Sequence, residues 1–349
     1  MVLQVLTLYW VSRYLLASAL ARKKALCHSG TYCCMFGVLL SHTLFSFLIV
    51  FNVMFRLSEK IVCFNQAYQL SSICLPRVYK PVVSSYIVYL FISFIVVKVI
   101  ITNLGFSFHE PFLYYSYCIS YFGPMLTISI VATLSLIAEK VFESLIEDLD
   151  RLPEINRIDY TYNLEEKMLT FMSLNTYINN ISQTFGLDIF LVTTDVYLQL
   201  VLFLYTTIWS IFAQDAFPGF IWAKLAGLLE IFIIIFKLVY LCYQCDCVSR
   251  KSKTVIFKME QLNARYFYDP DVQIILNLFT FRAFYFKINI TSYGLFTIDL
   301  GLLVRIAGVV LTYFLVLVQF QVGGEMQNKD EISNTTKSEC KYWPCLTNE

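Results

Sequence analysis

The sequence predicts an all-α membrane protein, a polytopic bundle of seven transmembrane helices with its N-terminus inside and its C-terminus outside. Three observations predict it. Of the 349 residues, 58% are hydrophobic and only 15% charged, against roughly 25% charged in an ordinary soluble domain. The apolar residues come in blocks long enough to cross a membrane, which takes about 20 residues of helix. The basic residues crowd into alternate connections, as those on the cytoplasmic side do. Residues 231–236 and 309–320 are apolar almost without a break. They are not the alternating segments of a membrane barrel, and in lipid a helix satisfies its own backbone.

Hydropathy places the spans at 2–20, 35–55, 82–104, 114–138, 185–212, 218–243 and 300–322. Two long connections separate them, at 139–184 and 249–299. The first opens with Val141, Leu145, Leu149 and Leu152 at helical spacing, so the fourth span is expected to continue as an amphipathic helix beyond the membrane. The second holds an apolar helical pattern at 272–279, broken by Arg282 and Lys287. It reads as a membrane-proximal helix.

Orientation follows from lysine and arginine. Arg56, Lys60, Arg77 and Lys80 follow the second span, Lys140, Arg151, Arg157 and Lys167 the fourth, and Arg250, Lys251, Lys253, Lys258 and Arg265 the sixth. The connections after the third and fifth spans carry neither residue type. This arrangement is the reverse of a G-protein-coupled receptor. Arg22, Lys23 and Lys24 disagree with it. The alternative is a first segment lying along the cytoplasmic face, which leaves six spans. The first twenty residues lack the charged start and small-residue site of a cleaved signal peptide.

The chain divides into a bundle over 1–299, a last helix over 300–322 and a polar tail over 323–349. The tail holds the glycosylation pattern Asn334-Thr-Thr together with Cys340 and Cys345. Those two cysteines are able to pair if the tail is extracellular.

The last span reads Thr312-Tyr313, five apolar residues, then Gln319-Phe320. This resembles the hallmark of the insect gustatory receptor family, at its expected place in the final helix. Gly294-Leu-Phe296-Thr-Ile-Asp299 with Leu302-Leu303, Phe142 with Leu145 and Leu149, and Asn179-Asn180 with Phe185-Gly186 are also similar to that family. The likeness is good from about Tyr114 to Phe320 and a matter of pattern before that. The N-terminal segment is shorter, and the tail longer, than the family's usual form.

The resemblance implies a tastant-gated cation channel in the plasma membrane of a sensory neuron, related to the odorant receptors. It implies four subunits, the same or mixed, around one pore lined by each last helix. It implies a small-molecule pocket in the outer half of each bundle and no requirement for a G protein. Thr312, Val316, Gln319 and Phe320 fall at i, i+4, i+7 and i+8, one helical stripe. Around a four-fold axis Val316 and Phe320 give apolar rings that gate by dewetting. Gln319 gives an amide ring that replaces part of an ion's water. The bland reading is that Thr312 and Gln319 glue helices together. Tyr313 is expected off the stripe, against a neighbouring helix. Gly301 and Gly308 are expected to let helices approach closely.

For the pocket, Tyr121, Tyr205, Trp209 and Glu230 are the candidates. Trp209 and Tyr205 lie one turn apart, and aromatic walls suit alkaloids and sugars through stacking and cation–π contacts. Each aromatic is equally at home in the Tyr and Trp belt of a membrane interface. Few carboxylates or amides stand ready for sugar hydroxyls, which leans the ligand toward a bitter compound, with a sugar as the alternative. Ionisable residues inside spans are expensive and often functional. Here they are Lys98, Asp188, Asp195, Glu230, Lys237 and Arg305. For Lys98, Asp188 and Lys237 the bland reading is that they snorkel at the cytoplasmic end, and Asp299 is expected to pair with Arg305.

Several classes fall away. A net charge of +1 with no basic stripe argues against nucleic acid. The eleven cysteines sit mostly in apolar blocks, where a thiol is a small hydrophobe. Cys242, Cys245 and Cys247 offer too few ligands for a metal and read as cytoplasmic thiols open to acylation. His28, His42 and His109 are scattered and suggest no catalytic constellation. No cofactor is expected, and the partners are a tastant, cations, lipids and further subunits. A G-protein-coupled receptor, a membrane enzyme and an odorant receptor subunit are the competing readings. The motif argues for the gustatory branch over the last.

Overall fold

The computed structural model describes the backbone of residues 30–74, 111–152, 157–212, 220–265, 270–285 and 288–319, and the side chains of most of these. The expected spans at 2–20 and 82–104 and the tail with Asn334 lie outside the described residues. So do Phe320 and the side chains of Tyr121, Trp209 and Glu230.

The described chain is nearly all helix. Helices α1 (Gly30–Phe55) and α2 (Leu57–Cys74) follow one another with Arg56 between them. The Arg56 N–H donates to the Asn52 carbonyl at 3.0 Å and the Lys60 N–H to the Arg56 carbonyl at 3.2 Å, so the ladder runs through the joint. Then come α3 (Pro111–Arg151), α4 (Arg157–Phe212), α5 (Phe220–Arg265) and α6 (Pro270–Tyr285). A short antiparallel hairpin, β1 (Thr291–Ser292) with β2 (Phe296–Thr297), precedes α7 (Leu300–Gln319).

Four of these helices are long and apolar enough to cross a membrane: α3, α4, α5 and α7. With α1 they carry five of the seven expected spans. Their lengths decide the architecture. Helix α7 has 20 described residues, about 30 Å at 1.5 Å per residue, which matches the hydrocarbon core. Helix α4 has 56 residues, or about 84 Å, and must project far beyond it. Helices α3 and α5, with 41 and 46 residues, do the same. The chain is a multi-pass membrane bundle that continues as a helical bundle outside the lipid.

That extension replaces the two long connections expected from hydropathy. The described residues of 139–184 are helical, and α5 runs on to Arg265. Hydropathy windows see only length of apolar sequence, and these segments bury narrow stripes. Val141, Leu145 and Leu149 on α3 meet Leu164, Phe171, Leu174 and Ile178 on α4 and Val255, Met259 and Leu262 on α5, all in one buried core. Phe171 joins α3 and α6 through edge-on contacts, 6.1 Å to Phe142 and 4.9 Å to Phe279. Ion pairs stitch the outside: Lys251 to Glu143 at 3.1 Å, Lys258 to Asp150 at 2.6 Å and Lys167 to Asp148 at 2.8 Å. Each such exposed pair is worth under about 1 kcal/mol, so the apolar stripes hold the extension together. The helix over 57–74 lies in another connection where none was expected.

Candidate functional site

The most concentrated chemistry among the described residues lies along the seam where α1 and α2 meet α4. Val192 and Ile49 are fully packed there, yet polar groups interrupt the apolar contact at two levels. On α4 the interruptions are Asp188 and Asp195, seven residues and so two turns apart on one face.

At the lower level Asp188 is wholly buried. The amide of Asn52 donates to its Oδ1 at 2.6 Å, and the ammonium of Lys60, also buried, donates to its Oδ2. The same ammonium lies 4.9 Å from the centre of the Phe185 ring. Burial is the largest influence on Lys60 and pulls its pKa below the ordinary lysine value, while Asp188 works to keep the proton on. Asp188 does not snorkel, because a cation from α2 reaches it inside the protein. Lys237 is likewise buried.

At the upper level three side chains close a triangle. His42 Nδ1 lies 2.9 Å from Asp195 Oδ2, and Gln199 Nε2 lies 2.6 Å from His42 Nδ1 and 2.8 Å from Asp195 Oδ2. All three are at most 3% exposed. Asp195 Oδ1 and the hydroxyl of Ser46, one turn along α1 from His42, are buried with no hydrogen-bond partner. Helix α3 meets α1 at this level. A Cβ on Gly123 would stand 3.2 Å from Ser46 Oγ, so the glycine sets how near α3 can come.

Below the seam, the hairpin fastens the approach to α7. Tyr293 and Gly294 take φ of +52° and +73°, a left-handed pair that glycine accepts at no cost and tyrosine does not. The Ser292 hydroxyl donates to the Gly186 carbonyl at 2.9 Å, and the Thr291 N–H donates to Ser182 Oγ at 3.1 Å. Gly186 is required for this seat: a Cβ there would fall 2.7 Å from the Tyr293 nitrogen and 2.9 Å from its ring. Arg56, at the joint of α1 and α2, donates to the Gln183 carbonyl at 3.0 Å and to the Tyr293 hydroxyl at 3.4 Å, and pairs with Glu59. Asp299 caps α7, its Oδ1 accepting from the Leu302 N–H at 2.8 Å and from Arg305 at 3.1 Å. Thr297 donates to its other oxygen at 2.9 Å.

Beside this junction a crevice of about 270 Å³ is lined by Arg56, Glu59, Cys63, Gln66, Asn180 and Gln183 among others. Burial pushes the Cys63 thiol up to about 11, so it stays protonated and unreactive at neutral pH. Asn180 donates to Gln66 across the crevice at 2.9 Å.

Helix α7 differs from the other spans. Only 17% of its apolar window is buried within the chain, against 61%, 50% and 56% in α3, α4 and α5. Val316 is 39% exposed, and Thr312 and Gln319 are exposed as well. The Thr312 hydroxyl donates back to the Gly308 carbonyl at 2.9 Å. Tyr313 stands edge-on to Tyr197 of α4, their centres 6.1 Å apart. Among the described residues nothing lies within 4 Å of a Cβ on Gly308, and Gly301 faces only the Asp299 carboxylate. Among the pocket candidates Tyr205 is buried. Tyr121, Tyr205, Trp209 and Glu230 fall on α3, α4, α4 and α5. Cys242, Cys245 and Cys247 are buried rather than open to acylation.

Neither a family model nor a curated protein matches the sequence. Solved structures do match the fold. The insect olfactory receptor OR5 from Machilis hrabei superposes with a TM-score of 0.61 and 15% identity, covering 90% of this chain and 88% of that one. The same receptor in complex with eugenol gives 0.63 with equal identity and coverage. The fold is that of an insect olfactory receptor. The olfactory-receptor fold accounts for the seven-transmembrane plan and for the long helices that leave the lipid. At 15% identity the olfactory-receptor fold leaves the chemistry to be argued from the residues of this chain.

Sequence reasoning singled out Asp188 and Asp195 as ionisable residues inside spans but missed their partners. His42, Asn52 and Lys60 lie 128 to 153 positions from the carboxylates they meet, and Gln199 lies one turn from Asp195. Hydropathy erases that kind of signal, because one polar residue in an apolar block hardly moves an average. The Tyr293-Gly294 turn was legible only as a glycine before a helix.

Proposed function

We propose that the chain is a subunit of a small-molecule-gated cation channel of the gustatory-receptor type. It lies in the plasma membrane with its N-terminus inside and its C-terminus outside. Four copies, identical or mixed, surround a pore lined by α7. No G protein takes part. The observation that carries the reading is the helix that bears Thr312, Tyr313 and Gln319. Among the four described candidate spans it is the most apolar in mean hydropathy and the least buried within its own chain. A helix of that kind needs lipid or further subunits to cover it, and its stripe of hydroxyl, valine and amide suits a water-filled axis better than lipid. Val316 and Phe320 supply the dewetting rings and Gln319 the amide ring.

Tyr121, Tyr205, Trp209 and Glu230 are the pocket residues of this reading, and the buried Tyr205 supports it. The tastant is a bitter compound, with a sugar the alternative. An odorant receptor subunit is the second reading, favoured by the two structural neighbours. The Thr312-Tyr313…Gln319-Phe320 motif favours the gustatory one.

The experiment is whole-cell recording from cells expressing the chain, with and without Gln319→Ala, challenged with tastants and odorants. The expected result is ligand-evoked cation current whose ion selectivity changes in Gln319→Ala. Evoked current with unchanged selectivity in both Gln319→Ala and Val316→Ala would remove α7 from the pore. Responses to sugars but not alkaloids would overturn the bitter assignment.

A further inference from the structure

We propose that the crevice between α2 and α4 holds the headgroup of a zwitterionic phospholipid, one of the phosphoethanolamine class. The inference needs only that the chain spans a membrane, and it stands apart from any channel reading.

Two helices place the crevice at the edge of the lipid. The hydrogen-bond ladder runs from α1 into α2 through Arg56. Phe51, Phe55, Glu59, Val62 and Gln66 therefore fall along one helical stripe, spaced by four, four, three and four residues. The upper part of the stripe is apolar. Phe55 is 80% exposed within the chain, and its ring stacks on that of Phe51 with centres 6.2 Å apart. The lower part, from Glu59 onward, lines the crevice. On α4 the same change occurs along Leu187, Gln183 and Asn180. Leu187 is exposed and apolar, and the two amides line the crevice. Hydropathy ends one span at Phe55 and begins another at Phe185. Two neighbouring helices that turn from apolar to polar at one level mark the boundary between lipid and water. Acyl chains lying along Phe51, Phe55 and Leu187 bring a headgroup to that level.

The lining selects the headgroup by its charges. The crevice of about 270 Å³ carries one cation and one anion, Arg56 and Glu59, which pair with each other. An anionic headgroup would set a second negative charge against Glu59. A zwitterion offers a partner to each side chain. Arg56 meets Gln183, Tyr293 and Glu59 through Nη1 and Nη2, which leaves its Nε–H for a phosphate oxygen. Asn180 donates to Gln66 Oε1 at 2.9 Å. That bond leaves the two N–H groups of Gln66 for the phosphate and the Asn180 carbonyl for a donor. A primary ammonium carries three hydrogens and can donate to both Glu59 and Asn180. A choline headgroup has no N–H and forgoes those bonds.

The test is native mass spectrometry of the purified full-length chain in one detergent. The added lipid is a palmitoyl-oleoyl phosphatidylethanolamine, phosphatidylcholine or phosphatidylglycerol. The expected result is that the ethanolamine lipid is retained several-fold more than the other two. Glu59→Gln removes the anion and keeps the size, and is expected to turn the preference toward phosphatidylglycerol. Val62→Trp fills the crevice and keeps both charges. It is expected to abolish the preference, and it serves alone if Glu59→Gln does not fold. Equal retention of the three lipids by the wild type, or an unchanged ethanolamine preference in either variant, would overturn the proposal. So would displacement of the lipid by an equal concentration of free phosphoethanolamine, which would assign the crevice to a soluble ligand.

Discussion

Two carboxylates on one face of α4 meet α1 and α2 in different ways. Asp188 is answered by a lysine and an amide, Asp195 by a histidine and an amide. They are about 10 Å apart along the helix and equally buried. The lower pair sets a carboxylate against a buried ammonium. The upper cluster sets a carboxylate against an imidazole and an amide. The same helix interface thus has an ion pair near the hairpin and an imidazole–carboxylate–amide cluster deeper in the bundle. Burial alone does not say how much is lost when one partner of a polar contact is removed. The partner's chemistry does.

The sharpest way to break the comparison is Asp188→Ala. It leaves Lys60 charged and unpaired in a buried site, and removing one member of such a pair costs about 3–5 kcal/mol. The expected outcome is a large drop in thermal midpoint and in surface delivery at every pH. Lys60→Met with Asp188→Leu is expected to recover most of it, since a well-packed apolar pair often replaces a buried ion pair without loss. Recovery failing in the double variant would mean that the pair does more than neutralise itself.

A smaller effect is expected from Gly186→Ala, two residues from Asp188. The new methyl meets backbone at 2.7 Å, so the hairpin must leave its seat, at about 1–3 kcal/mol. In the channel reading the chain should still open, with a shifted ligand response and unchanged ion selectivity. A selectivity change instead would place the hairpin nearer the pore than the junction suggests.

The smallest effect is expected from Arg305→Ala. Its pair with Asp299 is 58% and 37% exposed on the two sides, and such pairs are worth at most about 1 kcal/mol. The thermal midpoint should hardly move. A fall comparable to that of Asp188→Ala would show that exposure within one chain is not exposure in the assembly, and that α7 is covered by other subunits there.

Part of this was legible in the residues. The spans of α3, α4, α5 and α7 stand out because about 20 apolar residues in a row have few uses outside lipid. The Asp299–Arg305 pair was readable because both belong to two turns of one helix. The seam was not readable. Asp188 and Lys60 look like two residues at a membrane edge until α2 is brought beside α4, 128 positions away. His42 looked like one of three scattered histidines. The extramembrane bundle was half visible, through Val141, Leu145 and Leu149, and the rest was hidden because its apolar stripes are too narrow to raise hydropathy.

By itself the sequence determined that this chain is a helical membrane protein and in which stretches five of its seven expected spans fall. Those properties follow from transfer of side chains and backbone into lipid, which acts on each segment alone. Only the tertiary structure decided which buried charges meet, where the glycine seat for the hairpin lies, and that α7 is left largely uncovered by its own chain. These depend on distances between segments far apart in sequence, and hydrogen bonds and ion pairs act only across a few ångströms.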